Sequence, residues 1–178
     1  QYKLFSAGMG FDQWINENVT GLVKSLSDTV EKYAPEVQFG LVCDSVWANN
    51  TTNENGSETS ADFEMYTNGF VDLPAVMESS NIKTLLVDLP GALANKEIPF
   101  KSTLKWWKNT AKEYGADVTS LIYNSKLSTS ETGWASPDQV LQQLIAMRDV
   151  DAKGAVFASY EHLEKNPDGH TDLIVRFY

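Results

Sequence analysis

Residues 12–33, DQWINENVTGLVKSLSDTVEKY, run across Pro35 into residues 37–43, VQFGLVC, and the reading of this pair decides the fold. In the first stretch Ile15, Val19, Leu22, Leu26, Val30 and Tyr33 recur in steps of three and four. That is the helical period, so the spacing predicts a helix over 13–33 with Asp12 as its N-cap and Pro35 as its stop. Gly21 inside it costs about 1 kcal/mol relative to alanine, which packing of a long apolar stripe offsets. The second stretch is short and mostly apolar and follows a proline stop, as a buried strand does. Residues 1–11, QYKLFSAGMGF, read as an irregular tail.

The same alternation continues down the chain. Residues 48–60 form a long polar loop, and 61–68 a short helix at best. Two stretches compete for the next strand. Phe70–Met77, anchored by Val71-Asp72, is taken as the strand although Pro74 counts against it; Ile82–Val87 then falls in an insertion. In the alternative, 82–88 is the strand and 71–79 is helical. A helix over 101–114 places Leu104, Trp107, Ala111 and Tyr114 on one face, with Gly115 just past its end. Residues 118–123 (VTSLIY) read as a strand. Ser136 and Pro137 open another helix as N-cap and N1, and 154–160 (GAVFASY) is a buried strand followed by a helical terminus. Helices alternating with about four strands predict an α/β fold with a parallel sheet and right-handed crossovers. A doubly wound open sheet and half of a (β/α)8 barrel both fit, a whole barrel taking about 250 residues.

Composition bounds the function. The 178 residues are 42% hydrophobic and 21% charged, which is globular and reads as a single domain. With 14 Lys and Arg against 24 Asp and Glu, the formal charge is −10, which disfavours nucleic acid as a partner. The lone Cys43 reads as a small buried side chain, and His162 and His170 lack metal-ligand spacing, so neither a metal nor a cofactor is expected. No apolar run approaches the ~20 residues of a membrane span, and no leader-type stretch opens these residues. The start at Gln1 reads as that of a processed or excised chain. No glycine-rich phosphate loop follows any expected strand, which argues against a flavodoxin-like domain. Asn50-Thr51-Thr52 and Asn55-Gly56-Ser57 have the form of N-glycosylation sequons, relevant only in a eukaryotic secretory pathway.

Several segments, in order, resemble the bacterial extracellular glycoside-hydrolase-like (β/α)8 proteins, the family-10-like barrels. Trp14, Asn18, Val19, Leu22 and Val23 fit that family's helix pattern, and Phe39, Gly40, Val46, Trp47 and Asn49 fit the strand pattern that follows it. Gly69-Phe70-Val71-Asp72, residues 102–108 (STLKWWK), Gly133-Trp134 with Pro137-Asp138, residues 154–163 (GAVFASYEHL) and Asn166-Pro167-Asp168-Gly169 are similar to later motifs. The resemblance implies the C-terminal half of the barrel: helix 4 and strands 5 to 8. Strands 1 to 4, and the acidic motif that ends strand 4, have no counterpart here. The departures cluster at strand ends, where barrel active sites lie. Val42-Cys43-Asp44-Ser45 and Ala48 replace family residues after strand 5. Asn124-Ser125 replace a tyrosine after strand 7, while Lys126 is retained.

On this reading the chain is a carbohydrate-active domain of an exported bacterial protein, extracellular or at the cell surface, acting on a cell-wall or plant polysaccharide. The rival is a non-catalytic polysaccharide-binding or surface-structural module. Glycoside hydrolysis takes two carboxylates across the scissile bond. Asp44, Asp88 and Glu161 are the candidates, with Glu78 a further partner, all near expected strand ends. Trp47, Asn124, Lys126, Ser159 and Tyr160 are the candidate substrate-binding residues. Trp106 and Trp107 are adjacent on one helix, so they point apart, and one of them is open to serve as a platform. A half barrel exposes two sheet edges and one sheet face. The expected partner is therefore a second copy of the chain or the missing N-terminal half-barrel, and this half alone is expected to be inactive.

Overall fold

The computed structural model describes residues 1–178 apart from the side chain of Asp168, so that part of the 166–169 motif lies outside the described residues. The chain opens with a short helix, α1 (Tyr2–Phe5), and the long α2 (Phe11–Tyr33). Residues 1–11 are therefore not an irregular tail. The Tyr2 hydroxyl donates to the Met9 carbonyl at 2.8 Å, and its ring packs edge-on against Phe11 and Trp14. This aromatic contact starts α2 two residues early. Gly10 is its N-cap, and Asp12 falls in the first turn, where a carboxylate meets the positive end of the helix dipole.

The sheet follows: β1 (Phe39–Cys43), helix α3 (Leu73–Ser79), β2 (Ile82–Asp88), helix α4 (Phe100–Glu113) and β3 (Asp117–Ile122). Helix α5 (Gln139–Asp149), β4 (Gly154–Phe157), α6 (Tyr160–Lys165) and α7 (His170–Phe177) complete it. All three strand pairings are parallel, in the order β1-β2-β3-β4. The alternating helices and four parallel strands are consistent with half of a (β/α)8 barrel. No helix among the described residues is long and apolar enough to cross a membrane.

Three expected boundaries are corrected. Phe70–Met77 is not a strand; Leu73–Ser79 is helical and Ile82–Asp88 takes the strand position. Pro74 explains this, because it has no N–H for a ladder but fits a first helical turn, and the Asp72 carboxylate caps that turn by accepting from the Ala75 N–H at 3.1 Å. Ser136 does not cap a helix: its carbonyl accepts from the Gln139 N–H in a turn, and α5 begins after Asp138. β4 stops at Phe157, leaving Ser159 and Tyr160 to start α6. The stretch 61–68 holds turns and no helix.

The two faces of the sheet differ sharply. Leu85 and Val87 of β2, and Val118 and Ile122 of β3, are buried beneath Leu104, Trp107 and Ala111 of α4 and Val140 and Leu144 of α5. Trp107 fixes this layer, its indole N–H donating to the Ser45 carbonyl at 2.8 Å. No helix of the described residues covers the opposite face. Val42 is 71% exposed, Val156 is 43% exposed, and Leu86 and Leu121 between them are only half-buried. The stripe of α2 is covered only in part: Ile15, Val19 and Val30 are half-buried, Leu22 is 61% exposed, and Ser27 is the one fully buried residue of the helix, accepting from the Asn81 N–H.

The long polar loop is tightly organised. Asn49 bridges to Ser57, and its side-chain oxygen accepts from the Thr59 hydroxyl at 2.8 Å and the Ala61 N–H at 2.9 Å. Gly56 is required at the close approach, since a Cβ there would lie 2.6 Å from the Ala48 carbonyl oxygen. The buried Glu64 carboxylate accepts from the Asn49 N–H and the Thr52 hydroxyl, both at 2.8 Å. Replacing Glu64 by alanine strands two donors, so Glu64→Ala is expected to lose about 1–3 kcal/mol in urea unfolding; a change within ±0.5 kcal/mol would show that the carboxylate does not hold the loop. Burial, and secondarily the Asp44 charge, pushes the Cys43 thiol up to about 12. A neutral-pH alkylating reagent should therefore leave Cys43 unmodified in the folded chain and label it in denaturant.

Candidate functional site

Four parallel strands deliver their carboxyl ends to one edge, and the segments leaving β1, β2, β3 and β4 meet there. Cys43 pairs with Val87, so Asp44 and Asp88 follow on neighbouring strands. Strand alternation turns both toward the uncovered face, in register with Leu121 of β3. Tyr123, two residues beyond Leu121, shares that face. Its hydroxyl donates to Asp88 Oδ2 at 3.1 Å. Asp88 Oδ1 is buried and has no hydrogen-bond partner among the described residues. The Ser45 hydroxyl donates to the Asp88 carbonyl at 2.7 Å and ties the two strand exits together. Burial first, then the hydrogen bond to Asp88 and the charges of Asp88 and Asp44, raises the Tyr123 phenol above its ordinary value. Asp44 and Asp88 thus leave neighbouring strands on one face, and Tyr123 is hydrogen-bonded to Asp88 beside them.

Beside the cluster, the loops after β2 and β3 enclose a cavity of about 180 Å³ lined by Ser45, Pro90, Gly91, Lys126 and Glu131. It adjoins a second of about 480 Å³ that shares Gly91, Asn95 and Glu131. Lys126 spans this rim. Its ammonium donates to Glu131 Oε1 at 2.7 Å and to the Pro90 carbonyl at 3.2 Å, and lies 5.5 Å from the centre of the Tyr123 ring. It is thus held between the cluster and the cavity.

Other candidates are placed elsewhere. Glu161 lies on exposed α6, four residues past β4, paired with Lys165; that hydrogen bond and charge hold its carboxyl below the usual range. It does not join Asp44 and Asp88. Glu78 ends α3 just before β2 begins, at the opposite edge of the sheet. Trp47 is buried, with its indole N–H donating to the Val71 carbonyl at 2.8 Å and its ring stacked on Trp106 at 6.0 Å. A ring occupied in this way is not free to stack on a sugar at the strand ends. Asn124 is fully buried and serves the fold, donating from Nδ2 to the Ser159 carbonyl at 3.0 Å. Ser159 lies two residues past β4, as the N-cap of α6. Tyr160 is 73% exposed as the first residue of that helix.

Tyr123 and Ser45 are the participants that the sequence alone did not mark. Tyr123 looked like the last apolar residue of a strand. Its parity with Leu121 was the available signal, but using it needed the register to Asp88. Among the described residues no group of three or more His, Cys, Asp or Glu side chains could hold a metal ion.

No family model matches the chain. It is similar to a Bacillus subtilis (strain 168) protein named "Glycosyl hydrolase YngK", with 24% identity over 178 residues. The match covers 98% of this chain and 35% of that protein, so the chain spans about a third of the relative's length. This supports a glycoside-hydrolase-like relationship.

The raised Tyr123 phenol gives a pH signature. The folded state keeps the proton that the unfolded chain releases near pH 10. Stability is therefore complete below that pH and falls as pH rises through it. Tyr123→Phe should flatten this alkaline fall in stability, measured by urea unfolding between pH 8 and 11; an unchanged slope would place the phenol outside the cluster.

Proposed function

We propose that the chain is the C-terminal half of a carbohydrate-active barrel that acts on a cell-wall or plant polysaccharide outside a bacterial cell. The observation that carries this reading is the Asp44, Asp88 and Tyr123 cluster on adjacent strand ends, supported by the similarity to a protein named a glycosyl hydrolase. Neighbouring strands lie roughly 4.8 Å apart, which brings two carboxylates into the ~5–10 Å range that glycoside hydrolysis uses. Asp88, oriented by Tyr123, is the carboxylate set against the sugar's anomeric carbon. Asp44, exposed beside it, is the proton donor and acceptor. The rim cavity with Lys126 and Glu131 receives neighbouring hydroxyls. The opposite wall comes from a second half-barrel, either another copy of this chain or an N-terminal half, that covers the bare sheet face.

The rival reading, a non-catalytic binding module, is favoured by Asp44 itself. It carries none of the side-chain hydrogen bonds or ion pairs found among the described residues, whereas a catalytic acid is ordinarily held in place. Native gels containing soluble polysaccharides, run beside a reducing-sugar assay, separate the readings. Retardation that Asp88→Asn weakens about tenfold or more is expected, and an enzyme would also release sugar at a rate that falls about 10²–10⁴-fold in Asp88→Asn. Saturable retardation without release, from chain that has paired with a second copy, selects the binding module. Migration unaffected by any polysaccharide would overturn both.

A further inference from the structure

A second groove lies on the outer wall, away from the strand ends, between α4, the first turn of α3 and the long polar loop. Its volume is about 380 Å³, within the roughly 300–1,000 Å³ of small-molecule sites. Its floor is aromatic. Trp106 is half-exposed, stacked on the buried Trp47 at an interplanar angle of 13°, and its indole N–H donates to the Asn55 carbonyl at 3.0 Å. Trp107 meets it edge-on at 5.0 Å. The ring is thus fixed before any ligand arrives, so no side-chain ordering cost falls on binding. The helical period then sets polar groups in line with it: Asn109 three residues on, Thr110 four, and Glu113 seven. Tyr114 closes the end of the groove.

We propose that this groove is a second saccharide-binding site, taking a short neutral oligosaccharide segment with one sugar face on Trp106 and its hydroxyls on Asn109, Thr110 and Glu113. The choice of a saccharide over other neutral polar ligands rests on the carbohydrate reading of the strand-end cluster; the site itself does not use that cluster. An aromatic face bordered by an amide, a hydroxyl and a carboxylate matches the alternating C–H faces and hydroxyl edges of a pyranose. The charge around it selects against anions. Glu113, Glu78 and Asp72 all act on the Tyr114 phenol, which burial first and these carboxylates next push upward. No cationic side chain lines the groove.

The test is isothermal titration of the 178-residue chain with short cello-, xylo-, manno- and chito-oligosaccharides, read in parallel by tryptophan fluorescence. Trp106 is left in place, because its removal would expose Trp47. The probing variant is Asn109→Ala with Glu113→Gln, both exposed positions, with unfolding curves confirming an intact fold. The expected result is binding by at least one series, weakened about tenfold in this double variant, as the loss of a hydrogen-bonded contact gives. Absence of binding by every series would overturn the site, and so would binding that the double variant leaves intact. Failure of the strand-end reading shows separately, as polysaccharide retardation insensitive to Asp88→Asn.

Discussion

The contact between the helix layer and one face of the sheet holds the rest of the molecule in place. Leu85, Val87, Val118 and Ile122 are fully buried in the core they share with Leu104, Trp107 and Ala111 of α4 and Val140 and Leu144 of α5. Burial of side chains of this kind contributes roughly 1.5–3 kcal/mol each. Trp107 adds direction to that burial through its hydrogen bond to Ser45, the first residue beyond Asp44. The same tryptophan therefore packs the core and fixes the exit of β1. Ser45 in turn donates to Asp88, so the positions of both strand-end aspartates trace back to one buried indole.

Because all four strands run parallel, their polar exits gather at one edge, while the apolar residues of opposite parity are left without cover. Val42, Leu86, Leu121 and Val156 are what a barrel interior would contain. Exposed apolar groups also lie at both margins: Leu22, Leu26 and Val37 beside β1, and Tyr160, Val175 and Tyr178 after β4. An isolated four-stranded parallel sheet with one bare face is under pressure to pair its edges or cover that face.

Much of this was legible from residue patterns. The α4 stripe of Leu104, Trp107 and Ala111 packs as its spacing requires, and Gly115 follows the helix at φ +70°. β1 falls within its expected run, and β3 starts one residue before its own, at Asp117. Short elements were misread where a single residue carried two meanings. Pro74 demoted a supposed strand, yet it marks the first turn of α3. Ser136 has the form of a cap and makes a turn instead. In α2 the period is real, but periodicity does not tell whether anything covers the stripe. The candidate site divided similarly. Asp44 and Asp88 come together because both end strands, which sequence order reveals. Tyr123 was hidden by its apolar company. Asn124 and Trp47 were drawn inward by hydrogen bonds to the Ser159 and Val71 carbonyls, contacts between segments 35 and 24 residues apart that no local pattern encodes.

The sheet has one packed face and one bare apolar face, and we propose that a second half-barrel covers the bare one. Light scattering behind size exclusion, across a dilution series and with a hydrophobic dye added to parallel samples, addresses it most directly. The account predicts a mass above the 19.8 kDa of one chain at high concentration. On dilution the mass should fall toward that value while dye fluorescence rises as the face is uncovered. A monomer at every concentration that binds no dye would contradict it.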